Sequence, residues 1–333
     1  MCCLCHPPTS TRPLLILVLL VCFLSACNLE QDASTNSCQG LVEVSYAKVD
    51  PGFGAVQMIS QDEGWAVGSS NALLHYKASR WAALETGFLP LDDLSMSSVD
   101  EGWAVGSAGF LMHYHNGCWQ TDGSLVSSVA ITPNPNLTAV HMLSNTAGWA
   151  VGTRGAIAHY DGSRWVWVES PVPSNVNLGG LFMVSPTEGW AVGDDSTIVH
   201  YTAGKWQNVQ WTSPTNMLQP SLIDVYMTSA DEGWAVGGNG LIVRYSNGVW
   251  SKVSSPTNNT LLGVEMVSPI EGWVVGGGVI LHYSNSKWSQ VDGKGALSLS
   301  MISPAEGWAI GGGSILHYVN GVWQKEIQLG NRL

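Results

Sequence analysis

Positive charge is scarce in this chain: 13 lysines and arginines stand against 25 aspartates and glutamates in 333 residues, a formal net charge of −12. A surface so short of cations suits neither the phosphate backbone of nucleic acid nor electrostatic adhesion to an anionic membrane, so neither partner is expected. Charge of both signs is thin, at 11% of residues. Disorder does not follow, because tryptophan, valine and leucine recur too regularly. Long apolar runs are missing too, except Leu14 to Leu24, which is too short to span a bilayer. No catalytic motif is visible, and the expectation is a non-enzymatic protein without cofactor or metal.

The short apolar run has its own meaning. Arg12 is the one charge ahead of it, and Leu24-Ser25-Ala26-Cys27 follows, resembling a bacterial lipobox. Residues 1–26 then read as a lipoprotein signal peptide, Cys27 as the lipidated residue, 27–40 as a tether and 41–333 as the folded domain. An ordinary secretory signal ending near a cysteine is the alternative. Acyl chains contribute about 0.8 kcal/mol per buried CH₂, so two or three on one cysteine anchor firmly. The expected location is extracytoplasmic, at the membrane, with a mature net charge of about −13. Three of the seven cysteines survive cleavage: Cys27, Cys38 and Cys118. Cys38 and Cys118 either form a bridge stapling the tether to the domain or stay separate thiols.

What the chain has in abundance is one repeated unit. Seven Gly-Trp pairs, centred on Trp65, Trp103, Trp149, Trp190, Trp234, Trp273 and Trp308, are each followed 15 or 16 residues later by a second tryptophan: Trp81, Trp119, Trp165, Trp206, Trp250, Trp288 and Trp323. A methionine precedes each first tryptophan by seven residues, and the period is 35 to 46 residues. Within 222–256, four short apolar segments are separated by turn signals, among them Ser246-Asn247-Gly248. Four antiparallel strands per unit, repeated seven times, predict an all-β, seven-bladed propeller. Residues 41–49 resemble a spare fourth strand and are expected along the outer edge of blade 7.

The unit Glu-Gly-Trp-Ala-Val-Gly, then Gly-x-Ile-x-His-Tyr, then x-Asn-Gly-x-Trp resembles the repeats of the photosystem II stability and assembly factor family, and of the broader BNR/Asp-box and WD/YVTN-like propellers. That resemblance implies a protein-binding or assembly scaffold, with a glycan-binding or glycoside-processing propeller as the alternative. Two features depart from it: the Asp-box turn has shrunk to forms like Asn116-Gly117-Cys118-Trp119, and arginines are few.

Residues that recur mark scaffold. The His-Tyr histidines (His75, His113, His159, His200, His282, His317, with Arg244 in the seventh place) lie on diverging blades, so a shared metal ion is not expected; their ring nitrogens should bond to a neighbouring turn or blade. The glutamates before Gly-Trp are expected to be solvated turn residues, and the methionines to fill gaps on the innermost strands. Departures cluster in blades 3 and 4: Trp167 and Trp211 lie outside the repeat, Arg154 and Asp194-Asp195 replace small loop residues, and the long linkers Gln120 to Gly148 and Gln207 to Gly233 flank them. Arg154, Asp194, Asp195, Trp211 and Trp167 are therefore the expected partner-binding set, with a salt bridge and core packing as the competing reading. His115 and His141 are the mature chain's histidines outside the repeat.

Overall fold

The computed structural model describes residues 42–44, 52–68, 72–85, 90–123, 125, 134–211, 219–293 and 295–328. The signal peptide, Cys27, the tether and Cys38 lie outside them. Seven antiparallel sheets follow one another along the chain, occupying 53–85, 91–122, 137–167, 178–208, 222–253, 261–291 and 298–328, each with its strands in sequence order from the innermost outward. This is a seven-bladed propeller with almost no helix.

Each repeated residue has a place in the joint between blades. The first tryptophan of a blade lies against the second tryptophan of the next, edge to face, with ring centroids 5.3–5.6 Å apart, and the pattern runs without a break from Trp65–Trp119 through Trp273–Trp323 to Trp308–Trp81, which closes the ring. The tyrosine of the next blade's His-Tyr step fills the same wedge, as Tyr114 does on Trp65 and Tyr76 on Trp308. All fourteen indoles except Trp323 are buried; at about 2–3 kcal/mol each they are a leading source of stability.

The glycines are set by space. Met183 stands opposite Gly189 across the first two strands of blade 4, and its Sδ occupies the place a Cβ on Gly189 would need; the same holds for the other six Met and Gly-Trp pairs. Methionine and glycine therefore travel together as knob and hole. The glycine ending each second strand has a different neighbour. At Gly193 the backbone is extended (φ −169°), which any residue adopts, but a Cβ would collide with the Asn177 carbonyl oxygen. Gly193→Ala should cost about 2 kcal/mol, read from the midpoint of urea unfolding; an unchanged midpoint would show that the Asn177 strand can retreat freely.

Residues 42–44 correct an expectation. Val42–Val44 pairs antiparallel with the fourth strand of blade 1, Val42 opposite Glu85, and not with blade 7. Blade 7 is complete within 298–328. Blades 7 and 1 are instead joined by side chains: the Trp308 wedge, and Ser298 and Ser300 hydroxyls accepting from the Val56 and Met58 amides at 3.2 and 3.0 Å.

Candidate functional site

In blades 2 to 6 the turn after the second strand and the start of the first strand lie on one face of the ring. Ser107, Thr153, Asp194, Gly238 and Gly277 donate their amides to the carbonyls of Pro90, Asn136, Asn177, Ser221 and Thr260, each just ahead of its own blade's first strand. Linkers between blades enter on that face. Inside it, the first strands line a central cavity of about 290 Å³, with Asp92, Asp93 and Asp224 among its lining residues and glycine at Gly54, Gly179, Gly180 and Gly263. At Gly179, Gly180 and Gly263 a Cβ would meet the neighbouring blade at 2.7 to 3.2 Å, so glycine there lets adjacent first strands approach each other.

The channel wall is knitted from blade to blade by side chains rather than by strand pairing. Gln57 accepts from the Met96 amide, Asp93 from Val140, Ser95 from Met142, Asp224 from Val264 and Glu265 from Met301, at 2.6 to 3.0 Å. Between blades 3 and 4 the Thr138 hydroxyl donates to the Leu178 carbonyl at 2.7 Å, and rings run on to blade 5: His141 meets Phe182 edge-on at 4.7 Å, and Phe182 lies 4.8 Å from Tyr226. Protein surrounds these groups on nearly every side, although the channel leaves them partly accessible. Burial consequently pushes Asp93 up to about 7, Asp224 to about 6 and Glu265 to about 8, and draws His141 down to about 4. None of these residues but His141 stood out in the sequence. The available signal was an acid at the inner-strand positions one or three places before the repeat methionine.

The expected set in blades 3 and 4 divides. Arg154 and Asp195 occupy equivalent exposed turn positions with left-handed backbone, φ 62° and 54°. Asp194 is committed to the joint: its carboxylate accepts from the Asn177 amide and side chain, at 3.1 and 2.8 Å, and from the Ser221 hydroxyl at 2.9 Å. Asn177 in turn accepts from the Arg154 amide at 2.9 Å. A continuous chain of bonds thus runs from blade 3 across blade 4 to blade 5. Trp211 is half-buried, its indole N–H donating to the Ser196 carbonyl at 2.8 Å, and Trp167, 3% exposed, is core. A groove of about 490 Å³ beside blades 3 and 4 is lined by Trp149, Tyr201, Trp206, Glu169 and Lys205. Its indoles are buried against each other, so it offers little open face on which a sugar could stack.

The histidines and glutamates also find each other. His75, His113, His200, His282 and His317 turn Nε2 toward Glu63, Glu101, Glu188, Glu271 and Glu306 of the same blade. Five of these rings lie flat on their blade's first tryptophan, His75 on Trp65 at 3.8 Å and His317 on Trp308 at 4.0 Å. The glutamates are therefore paired rather than simply solvated. Arg244 preserves both contacts, pairing with Glu232 and lying 5.2 Å over Trp234. Blade 3 has Ala147 in the glutamate's place, and burial lowers the pKa of its His159.

No protein-family model matches the chain, and no curated protein does. Solved structures do. YCF48 bound to D1 peptide is 19% identical with a TM-score of 0.64, covering 84% of this chain and 96% of that one. The likeness is one of fold. Streptogramin B lyase is 15% identical with a TM-score of 0.69, covering 86% of this chain and 97% of that one. The WD40 propeller domain of Doa1 is 9% identical, with a TM-score of 0.63, covering 86% and 97%. The same architecture thus carries a peptide-bound protein and an enzyme, and function must be argued from the site.

Proposed function

We propose that this chain is a non-enzymatic, lipid-anchored extracytoplasmic propeller that binds a segment of a partner protein across its loop face. The observation that carries the reading is the channel mouth: first strands from all seven blades surround a cavity of about 290 Å³ walled by Asp92, Asp93 and Asp224. Such a mouth fits a protruding cationic side chain of the partner, with the exposed Arg154 and Asp195 positioned to orient the flanking polar chain. A protein of this fold holding a D1 peptide supports peptide capture as something the architecture can do.

The test uses the anchored protein in its native host: cross-linking, affinity capture and mass spectrometry, with wild type beside Asp92→Ser and Cys27→Ser. Asp92 is exposed at the mouth, so its replacement should leave the fold intact. A defined partner should be retained by wild type and lost with Asp92→Ser, and Cys27→Ser should leave the membrane fraction. Identical capture by wild type and Asp92→Ser removes the mouth from the interface; continued membrane attachment of Cys27→Ser removes the anchor.

A further inference from the structure

Blade 2 differs from its neighbours at one position on the outer half of the sheet. Its second strand, Glu101–Gly106, and third strand, Leu111–His115, run antiparallel with Glu101 opposite His115 and Trp103 opposite His113. Strand alternation puts these four side chains on one face. Glu101, 7% exposed, directs one carboxylate oxygen to His113 Nε2 and the other to His115 Nδ1, the latter at 2.6 Å. His113 lies flat on Trp103 at 4.2 Å and 6°, which fixes its ring. The donor atoms of all three residues lie within 4.8 Å of one another.

The Glu–His pair itself is scaffold, since four other blades have it. The addition is His115. In the other blades its position holds Lys77, Asp161, Thr202, Ser246, Ser284 and Val319. Lys77 also reaches its blade's glutamate, at 3.3 Å, but an ammonium repels a metal ion, whereas an imidazole can ligate one. Among the described residues, blade 2 alone brings three such donors together.

We propose that Glu101, His113 and His115 form a binding site for a divalent transition-metal ion. Two imidazoles and a carboxylate are borderline donors suited to Zn²⁺ and its neighbours rather than to the all-oxygen preference of Mg²⁺ or Ca²⁺. His115 is 57% exposed in its side chain, so it can swing outward to admit the ion between itself and His113. Glu101 and Trp103 hold the other side of the site still. Three protein ligands leave a fourth position facing solvent, open to water or to a side chain from a bound protein. The recurring histidines remain scaffold and share no ion between blades; this site lies within one blade.

Calorimetric titration of the untagged mature protein with Zn²⁺, in a non-chelating buffer, tests the site. Wild type should take up one ion in a step weakened at least about 10-fold in His115→Ser, and Zn²⁺ should raise the melting temperature of wild type more than that of the variant. Serine stands at this position in blades 5 and 6 and His115 is mostly exposed, so His115→Ser should melt like wild type in chelator. His282→Ser removes a Glu–His pair without a third donor and should bind Zn²⁺ as wild type does. No uptake by wild type, equal affinity in His115→Ser, or equal weakening by His282→Ser would each overturn the proposal.

Discussion

Trp308→Ala should destabilise the fold by about 3–5 kcal/mol, the range for emptying a buried aromatic site, and should open the ring at one place before the rest unfolds. Trp308 is 2% exposed and touches His317 of its own blade and Tyr76 and Trp81 of blade 1. Those contacts span the seam between the last and first blades. Trp190 makes the equivalent contacts with Tyr245 and Trp250, but blades 4 and 5 are also tethered by the chain between them. Urea titration followed by hydrogen exchange should therefore show early loss of protection in blades 7 and 1 for Trp308→Ala. Trp190→Ala, losing a similar area, should unfold in one transition. Indistinguishable behaviour of the two variants would mean the seam is no weaker than any other joint.

Stability should rise as the pH falls from 8 to 5. Asp93, Asp224 and Glu265 hold protons in the folded channel at pH values where the unfolded chain has lost them. Their folded pKa values lie above the unfolded ones. Their stabilising contribution is full below about 4, the unfolded pKa, and is lost as the pH climbs through 6, 7 and 8. Each pKa unit is worth about 1.4 kcal/mol, so Asp93 alone sets an upper bound of about 4 kcal/mol. His141 works the other way: its depressed pKa gives stability above about 6.5 that is lost as the pH falls toward 4. One histidine against three acids blunts the trend without reversing it. Asp93→Asn keeps an oxygen for the Val140 amide, removes the ionisable group, and should flatten the profile while raising stability at pH 8. A wild-type midpoint that is level from pH 5 to 8 would mean that the channel solvates its carboxylates.

The blade was legible because its signals are local: glycine-flanked tryptophans, Asn-Gly turns and apolar alternation all act within one repeat. Partner choice was less so. Residues 42–44 have a strand's pattern, yet period-two alternation does not say which edge will receive it, and the edge of blade 1 does. The glutamates looked solvated because they sit beside a turn; cross-strand geometry carries each one back to a histidine 11 or 12 residues ahead. Asp194 stood out as a departure from the repeat, and it bonds Ser221, in one of the long linkers flanking that departure, and Asn177, just ahead of its own blade's first strand. The channel acids went unmarked because closing seven blades around an axis brings together positions that are far apart in the chain.

Every blade is cut from one uninterrupted stretch of chain, and the joint between blades 7 and 1 is made of side chains alike in kind to those at the other six. Where the polypeptide starts is therefore arbitrary as far as the ring is concerned. A circularly permuted protein, with new ends in any linker and the old ones joined, keeps every sheet whole. By the same token, duplication of a single unit adds a complete blade with both halves of its wedge already in place. The circle closes through these side-chain wedges, with no strand exchanged between blades 7 and 1.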